Sequence, residues 1–138
     1  MSSLRDKIDA EIENIRDNIE HLPPAEKLPD LSELELAGVA ALLHSFYNGV
    51  ENVVKQVLTD RGLALPTGES WHKGLLALAY DQKILSATLF ESLKLYLAFR
   101  HYFSHGYILD LEPERMESLV KDLPGVFEML NDECAHIQ

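Results

Sequence analysis

The stretch from Ser32 to about Arg61 constrains the fold most, because it is apolar on more than one side of a helix. Ser32 and Glu35 have the spacing of a capping box, in which each side chain binds the other residue's backbone N–H. Apolar residues then recur at helical spacing: Leu36, Val39, Leu43, Phe46, Val50, Val53, Val54 and Val57. A helix that is apolar around much of its circumference must be covered by other elements. We therefore expect it at the centre of the fold.

The first 22 residues predict an amphipathic helix with one narrow apolar seam. The seam consists of Leu4, Ile8, Ile12, Ile15, Ile19 and Leu22. It is typical of a helix that packs at the edge of a bundle or at a dimer surface. Residues 23–30 are rich in proline, and we expect a connector there that no helix crosses.

The rest of the chain is also helical in pattern. Ser70 is placed to cap a third helix, residues 81–83 form a turn, and Ser86 or Thr88 begins a fourth helix. A last helix begins near Pro113, with a kink or short break expected at Pro124. No useful strand-like alternation occurs. The sequence predicts a single all-α domain over residues 1–138, an up-and-down bundle of about five helices.

Composition limits the classes of protein that the chain can be. Apolar residues make up 46% of the sequence and charged residues 25%, which suits a folded, soluble domain. The single cysteine, Cys134, allows no internal disulfide, and it lies on the apolar stripe of the last helix. The sequence has neither an apolar run of membrane-spanning length nor a hydrophobic signal core. We expect a cytoplasmic protein that does not bind membranes.

The charge is distributed unevenly along the chain. The net charge of −11 argues against an extended nucleic-acid-binding surface, because such surfaces are cationic. Residues 61–105, however, carry five basic and three acidic side chains, whereas both flanking segments are strongly acidic. Screening over about 8 Å lets a local patch bind phosphate despite distant acidic groups. The acidic flanks suit docking to a basic partner protein.

The candidate site lies in residues 99–107, where an apolar helical pattern ends. Arg100, His101, His105 and Tyr107 fall within eight residues of each other. A histidine can act as base or acid near neutral pH, and an arginine presents a fork of donors that fits phosphate oxygens. No histidine and carboxylate spacing typical of a zinc site is present, so no metal is indicated.

The spacing of Arg100 and His105 restricts how they can act together. On a continuous helix the two side chains point about 140° apart, which is too far to grip one phosphate. If Gly106 ends the helix, His105 can turn back toward Arg100. Alternatively, a second copy of the motif from a partner subunit completes the site. A terminal or shared site is favoured over one in the middle of a helix.

The pattern Arg100-x4-His105-x-Tyr107 resembles the signature of HEPN-domain ribonuclease toxins of the HepT-like group. The stretches from Phe46 to Glu51 and from Pro66 to His72 are also similar to this family, and the likeness covers roughly residues 35–135. The resemblance implies a HEPN-like bundle. It also implies metal-independent cleavage of RNA, rather than DNA, at a site made by two protomers of a homodimer.

The resemblance also implies roles for individual residues. The RNA 2′-hydroxyl would attack the adjacent phosphate, with His105 as base or acid and Arg100 stabilising the developing charge. His101 and Ser104 would support them. The implied partner is a minimal nucleotidyltransferase antitoxin, which would use ATP and magnesium to transfer AMP to Tyr107. This chain itself would need no cofactor.

Several alternatives stay open on the sequence. The chain could instead be the non-catalytic substrate-binding subunit of a two-component nucleotidyltransferase, or a purely structural bundle. His44, Asn48, Glu51 and Lys55 share one flank of the central helix, which is typical of a solvated face but also allows a role beside the site. Trp71 and His72 are expected as a packing anchor and a surface histidine, rather than as contacts to RNA.

Overall fold

The computed structural model describes residues 3–106 and 111–137, and within them every regular element is a helix. This confirms the predicted all-α bundle. The elements are α1 (Leu4–Glu20), a 3₁₀-helix (Ala25–Asp30), α2 (Glu33–Asp60), α3 (Trp71–Asp81), α4 (Ala87–His105) and α5 (Glu114–Ala135). None of the helices in these residues is long and apolar enough to cross a membrane.

The central helix begins and packs as the sequence predicts. The Oγ of Ser32 accepts a hydrogen bond from the Glu35 N–H at 3.1 Å, and Glu35 Oε1 accepts one from the Ser32 N–H at 2.9 Å. These two bonds satisfy N–H groups that the first turn would otherwise leave unpaired. From there α2 packs against α1, α3 and α4, and more lightly against α5. It is the element that the rest of the bundle covers.

The apolar seam of α1 faces inward. Ile8, Ile12 and Ile15 are buried, and α1 packs on α2 and α5. Of the two alternatives for this seam, the edge of a bundle and a dimer surface, the structure shows the first, because the protomer itself covers the seam. The helices approach closely at Gly49, where a Cβ would lie 2.5 Å from Ile15 Cγ1 and 2.9 Å from its Cδ1.

The two proline-containing segments contain more helix than the sequence predicts, although no helix crosses the connector between α1 and α2. Residues 25–30 form a 3₁₀-helix that includes Pro29, and Leu28 on this turn is fully buried. The short 3₁₀ turn tolerates a proline that a long α-helix interior does not. Of the kink or short break predicted at Pro124, the break does not occur, since α5 is one helix from Glu114 to Ala135. Pro124 is on the exposed side of this helix.

Helix α4 is fixed to α5 at two points before it reaches the motif. Ser86 caps α4 through its Oγ, which accepts from the Leu89 N–H, and Glu133 of α5 accepts from the Ser86 N–H at 2.7 Å and its Oγ at 2.6 Å. Further along, the buried Tyr96 hydroxyl donates to the Leu119 carbonyl at 2.7 Å. The start and middle of α4 are therefore held, and its last turns carry the motif.

The C-terminal helix also contains the single cysteine. Cys134 is buried at 2% exposure, as its place on the apolar stripe predicts. Burial raises the pKa of its thiol to about 12. The thiol is therefore protonated at neutral pH, and this residue is part of the core rather than a nucleophile.

The close approach of α1 and α2 gives a first prediction. Gly49→Ala should destabilise the protein by about 1–3 kcal/mol, because the added methyl overlaps the buried side chain of Ile15. The matched control is Gly38→Ala in the same helix, where the added Cβ meets nothing within 4 Å. That change should stabilise by about 0.5–1 kcal/mol through helix propensity. Urea unfolding of both variants measures the difference, and equal effects would contradict the close packing.

Candidate functional site

The motif occupies the last turns of α4. The helix is regular through His105, and the Gly106 N–H donates to the Tyr102 carbonyl at 2.9 Å. Gly106 ends the helix as predicted, although its φ of −98° is open to any residue. A glycine is favoured there because a Cβ would lie only 3.0 Å from the Tyr102 carbonyl oxygen.

The two histidines of the motif lie together on an exposed face of α4. His101 and His105 are both exposed, and their ring centroids are 4.4 Å apart, as side chains one turn apart allow. The His105 ring therefore lies along its own helix, tilted against the His101 ring. Ser104 is exposed as well, one turn beyond Arg100 on the same side of the helix. The end of α4 offers polar groups to solvent without opening the core.

Arg100 is directed toward α2 rather than toward His105. Because α4 stays regular, the side chains of Arg100 and His105 leave it about 140° apart. Arg100 is partly buried, and its Nε is buried without a hydrogen-bond partner among the described residues. The fold of one chain thus brings His101 and His105 together and keeps Arg100 on a different face.

The charge of Arg100 affects the pKa values of two side chains of α2, His44 and Tyr47. The pKa of His44 is lowered mainly by burial and further by the positive charges of Arg100 and His72. Burial raises the pKa of Tyr47, the Glu51 carboxylate adds to that rise, and Arg100 opposes it. One arginine of α4 thus acts on two side chains of α2. The charge of His72 also lowers the pKa of His44, and the charge of Glu51 raises that of Tyr47.

A second polar arrangement beside Arg100 was missed by the sequence analysis. Glu51 is only 4% exposed, and its Oε2 lies 2.7 Å from Nδ1 of His72, a side chain that is 20% exposed. The expectation that Glu51 lies on a solvated flank is therefore wrong. The place of Glu51 in the sequence indicated its burial. The buried residues of α2 include adjacent pairs at helical spacing, namely 46–47, 50–51, 53–54 and 57–58, and Glu51 is the second member of one of these pairs.

An aromatic ring and an ammonium group lie beside this pair. The Lys55 ammonium lies 4.4 Å from the centroid of the Trp71 ring, and the His72 ring lies 3.5 Å from the same indole. Trp71 is thus partly buried between its neighbours, as a packing anchor would be, rather than displayed for base stacking. On the other side, the His44 ring packs 5.3 Å from Phe103 of α4.

The predicted modification site and a possible metal site are considered next to these contacts. Tyr107, the predicted modification site, lies outside the described residues. Within residues 3–106 and 111–137, no three His, Cys, Asp or Glu side chains come together as a possible metal site.

Comparison with known families gives one match. The profile of a family described as HepT-like protein matches residues 38–138. This range contains most of α2, all of α3, α4 and α5, and the motif itself. Comparison with curated proteins and with solved structures found no match.

The electrostatics of the site give a second prediction. His44 should titrate below its ordinary value of 6.5, and Arg100→Ala should raise its pKa, because a neighbouring positive charge is removed. Lys94→Ala, on the same helix but exposed, should leave it unchanged. Histidine ring signals followed by NMR across pH measure this. A His44 that titrates normally and ignores Arg100→Ala would contradict the placement of the guanidinium.

The same shift has a consequence for stability. Because the folded state disfavours the His44 imidazolium, the unfolded chain binds more protons as the pH falls through its ordinary value of 6.5. The contribution of His44 therefore makes the protein less stable as the pH falls through that value, until the folded-state pKa is passed. Above it the stability is fully present.

Proposed function

Because the chain belongs to the HepT-like protein family, we propose that it is a metal-independent endoribonuclease, the toxin of a HEPN and nucleotidyltransferase toxin–antitoxin module. The observation that carries this proposal is the end of α4, where a partly buried arginine and two exposed histidines follow one another. Groups of this kind suit phosphate binding and proton transfer. The substrate is RNA in the cytoplasm, and the toxin itself requires no cofactor.

The chemistry requires no nucleophile from the protein. The 2′-oxygen of RNA forms a bond to the adjacent phosphorus, the bond to the 5′-oxygen breaks, and a cyclic phosphate and a 5′-hydroxyl result. His105 is accessible enough to take or give the proton in this exchange. Arg100 stabilises the negative charge that builds on the phosphate oxygens. His101, whose ring contacts that of His105, and Ser104 support the two.

The geometry of a single chain favours a shared site. Arg100 and His105 point about 140° apart, so one protomer does not direct both side chains at one phosphate. In a homodimer, Arg100 of one protomer and His105 of its partner can meet across the interface. With the α1 seam covered inside the protomer, the exposed end of α4 is the surface for this contact.

Control by the partner is proposed at Tyr107, two residues after His105. A nucleotidyltransferase antitoxin would join the phenolic oxygen of Tyr107 to the α-phosphorus of ATP, and magnesium-bound pyrophosphate would leave. The attached AMP adds negative charge and bulk beside the site, where the RNA phosphate must bind. The acidic segments that flank residues 61–105 suit docking of this partner.

The proposed function predicts that Arg100→Ala and His105→Ala each lower RNA cleavage by at least about 100-fold, because each removes a group that acts in the transition state. Cleavage by the purified protein is followed on gels with EDTA present, with thermal melts as the check on folding. His21→Ala, an exposed histidine at the end of α1, is the matched control.

Mixing the two inactive variants extends this test to the shared site. A heterodimer of Arg100→Ala and His105→Ala has one site with both groups lost and one site intact. Random pairing of the mixed protomers makes about half of the dimers heterodimers, and each of these has one of its two sites intact. The mixture should therefore recover about a quarter of the wild-type activity. No recovery would contradict a shared site. A wild-type protein that never cleaves RNA would contradict the nuclease and favour the non-catalytic subunit.

Tyr107→Phe should cleave RNA normally but escape neutralisation by the partner nucleotidyltransferase, because the variant has no phenolic oxygen to accept AMP. Intact-mass spectrometry after incubation with the partner, ATP and magnesium measures the modification, and the cleavage assay measures its effect. A wild-type toxin that is inhibited while Tyr107 stays unmodified would mean that the partner acts by binding alone.

A further inference from the structure

The pair formed by Glu51 and His72 is not used by the mechanism above. Glu51 is the buried charged side chain of the described residues, at 4% exposure. Burying a carboxylate costs free energy unless it is paired, and an apolar residue of similar size is often as stable in such a position. The pair therefore points to a purpose other than packing.

The contact fixes which nitrogen of His72 faces the outside. Nδ1 lies 2.7 Å from Glu51 Oε2, and a histidine held by a carboxylate in this way donates its Nδ1–H to it. Nε2 is then the nitrogen free for another partner, on a side chain that is still 20% exposed. Tilted against Trp71 at 3.5 Å, the ring is also held on one face. The imidazole is thus oriented before any ligand arrives.

Two further contacts place this nitrogen on the side of the bundle that Arg100 faces. Glu51, which contacts His72, lies two turns after His44 on the same face of α2, because residues seven apart on a helix align. Phe103, one turn after Arg100, packs on the His44 ring at 5.3 Å. The flank of α2 that carries His44 and Glu51 thus meets α4 beside Arg100, and the Arg100 charge accordingly contributes to the lowered pKa of His44. His105 points elsewhere.

We propose that His72, oriented by Glu51, holds a phosphate of the RNA substrate together with Arg100. This rests on the proposed function and names a further substrate-binding residue for it. The protonated ring donates Nε2–H to a phosphate oxygen, and the Arg100 guanidinium, whose Nε has no partner among the described residues, donates beside it. Glu51 is a positioning residue: its buried carboxylate lies behind the ring and does not meet the phosphate.

The test measures binding of a 2′-O-methyl RNA oligonucleotide, which cannot be cleaved, by fluorescence anisotropy at about pH 6. His72→Gln should weaken binding about 10-fold and lower the slope of log affinity against log salt by about 0.7, the share of one phosphate contact on a single strand. His21→Ala should change neither quantity. A purely structural role of His72 would not change the salt slope.

Glu51→Gln tests the positioning role separately. The glutamine keeps the size of the side chain and an acceptor for Nδ1, so the fold should persist, while the ¹⁵N shifts of the His72 ring change and binding weakens. His72→Gln retains a donor for Glu51 and so avoids leaving a buried carboxylate unpaired. Thermal melts of both variants confirm that they are folded before binding is compared.

The outcomes separate this inference from the proposed function. If wild-type protein cleaves RNA and His72→Gln binds the oligonucleotide with unchanged affinity and salt slope, the inference is overturned and the nuclease stands. If wild-type protein neither cleaves nor binds RNA, the proposed function falls and this inference falls with it. Lost affinity with a lower salt slope, in a folded His72→Gln variant, supports both.

Discussion

The burial of α2 is the constraint on which the rest of the structure depends. Helices α1, α3 and α4 all pack on it, and most of its half-buried side chains are polar. An element covered in this way must have every polar side chain paired or directed to a gap between its neighbours. Glu51 meets that demand through His72. The same requirement that stabilises the core therefore brings a histidine of α3 to this flank of α2.

The motif of the candidate site lies at the end of one helix, α4, and the rest of the bundle supports that helix. Helix α4 is fixed by Glu133 at its start and by the bond of Tyr96 to Leu119 in its middle. Aromatic packing continues into the last turns, where Phe99 and Phe103 stack at 6.2 Å and Arg115 lies 4.3 Å over the Tyr102 ring. The motif thus has a rigid support on its inner side and solvent on its outer side. Such support is what positions reacting groups within narrow limits.

Most of the fold was predictable from local features of the sequence. The Ser32 and Glu35 box, the Ser86 cap and the turn at 81–83, where Lys83 has a φ of 60°, depend on neighbours within four residues. These features were predictable because their physics is contained in a few consecutive residues. Ser70 does lie at the cap of α3, but its side chain makes no capping bond within the described residues.

The features that sequence reasoning missed depend on distant parts of the chain. Glu51 and His72 are 21 residues apart, and only the packing of α3 on α2 shows that they pair. The fate of the α1 seam is equally non-local, since one helix pattern fits an internal or an external interface. Pro124 lies inside a continuous helix, which the usual effect of proline on a helix interior did not predict. Of the motif, the end at Gly106 was predictable, whereas the direction of Arg100 toward α2 required the fold.

Trp71 is the only tryptophan of the 138 residues, and its indole lies 3.5 Å from the His72 ring and 4.4 Å from the Lys55 ammonium. Tryptophan emission from the folded protein therefore originates at this one contact. A protonated imidazole accepts an electron from an excited indole far more readily than a neutral one does, and it quenches the emission. The chain consequently has a built-in optical reporter of the charge on His72, which can be followed without any label.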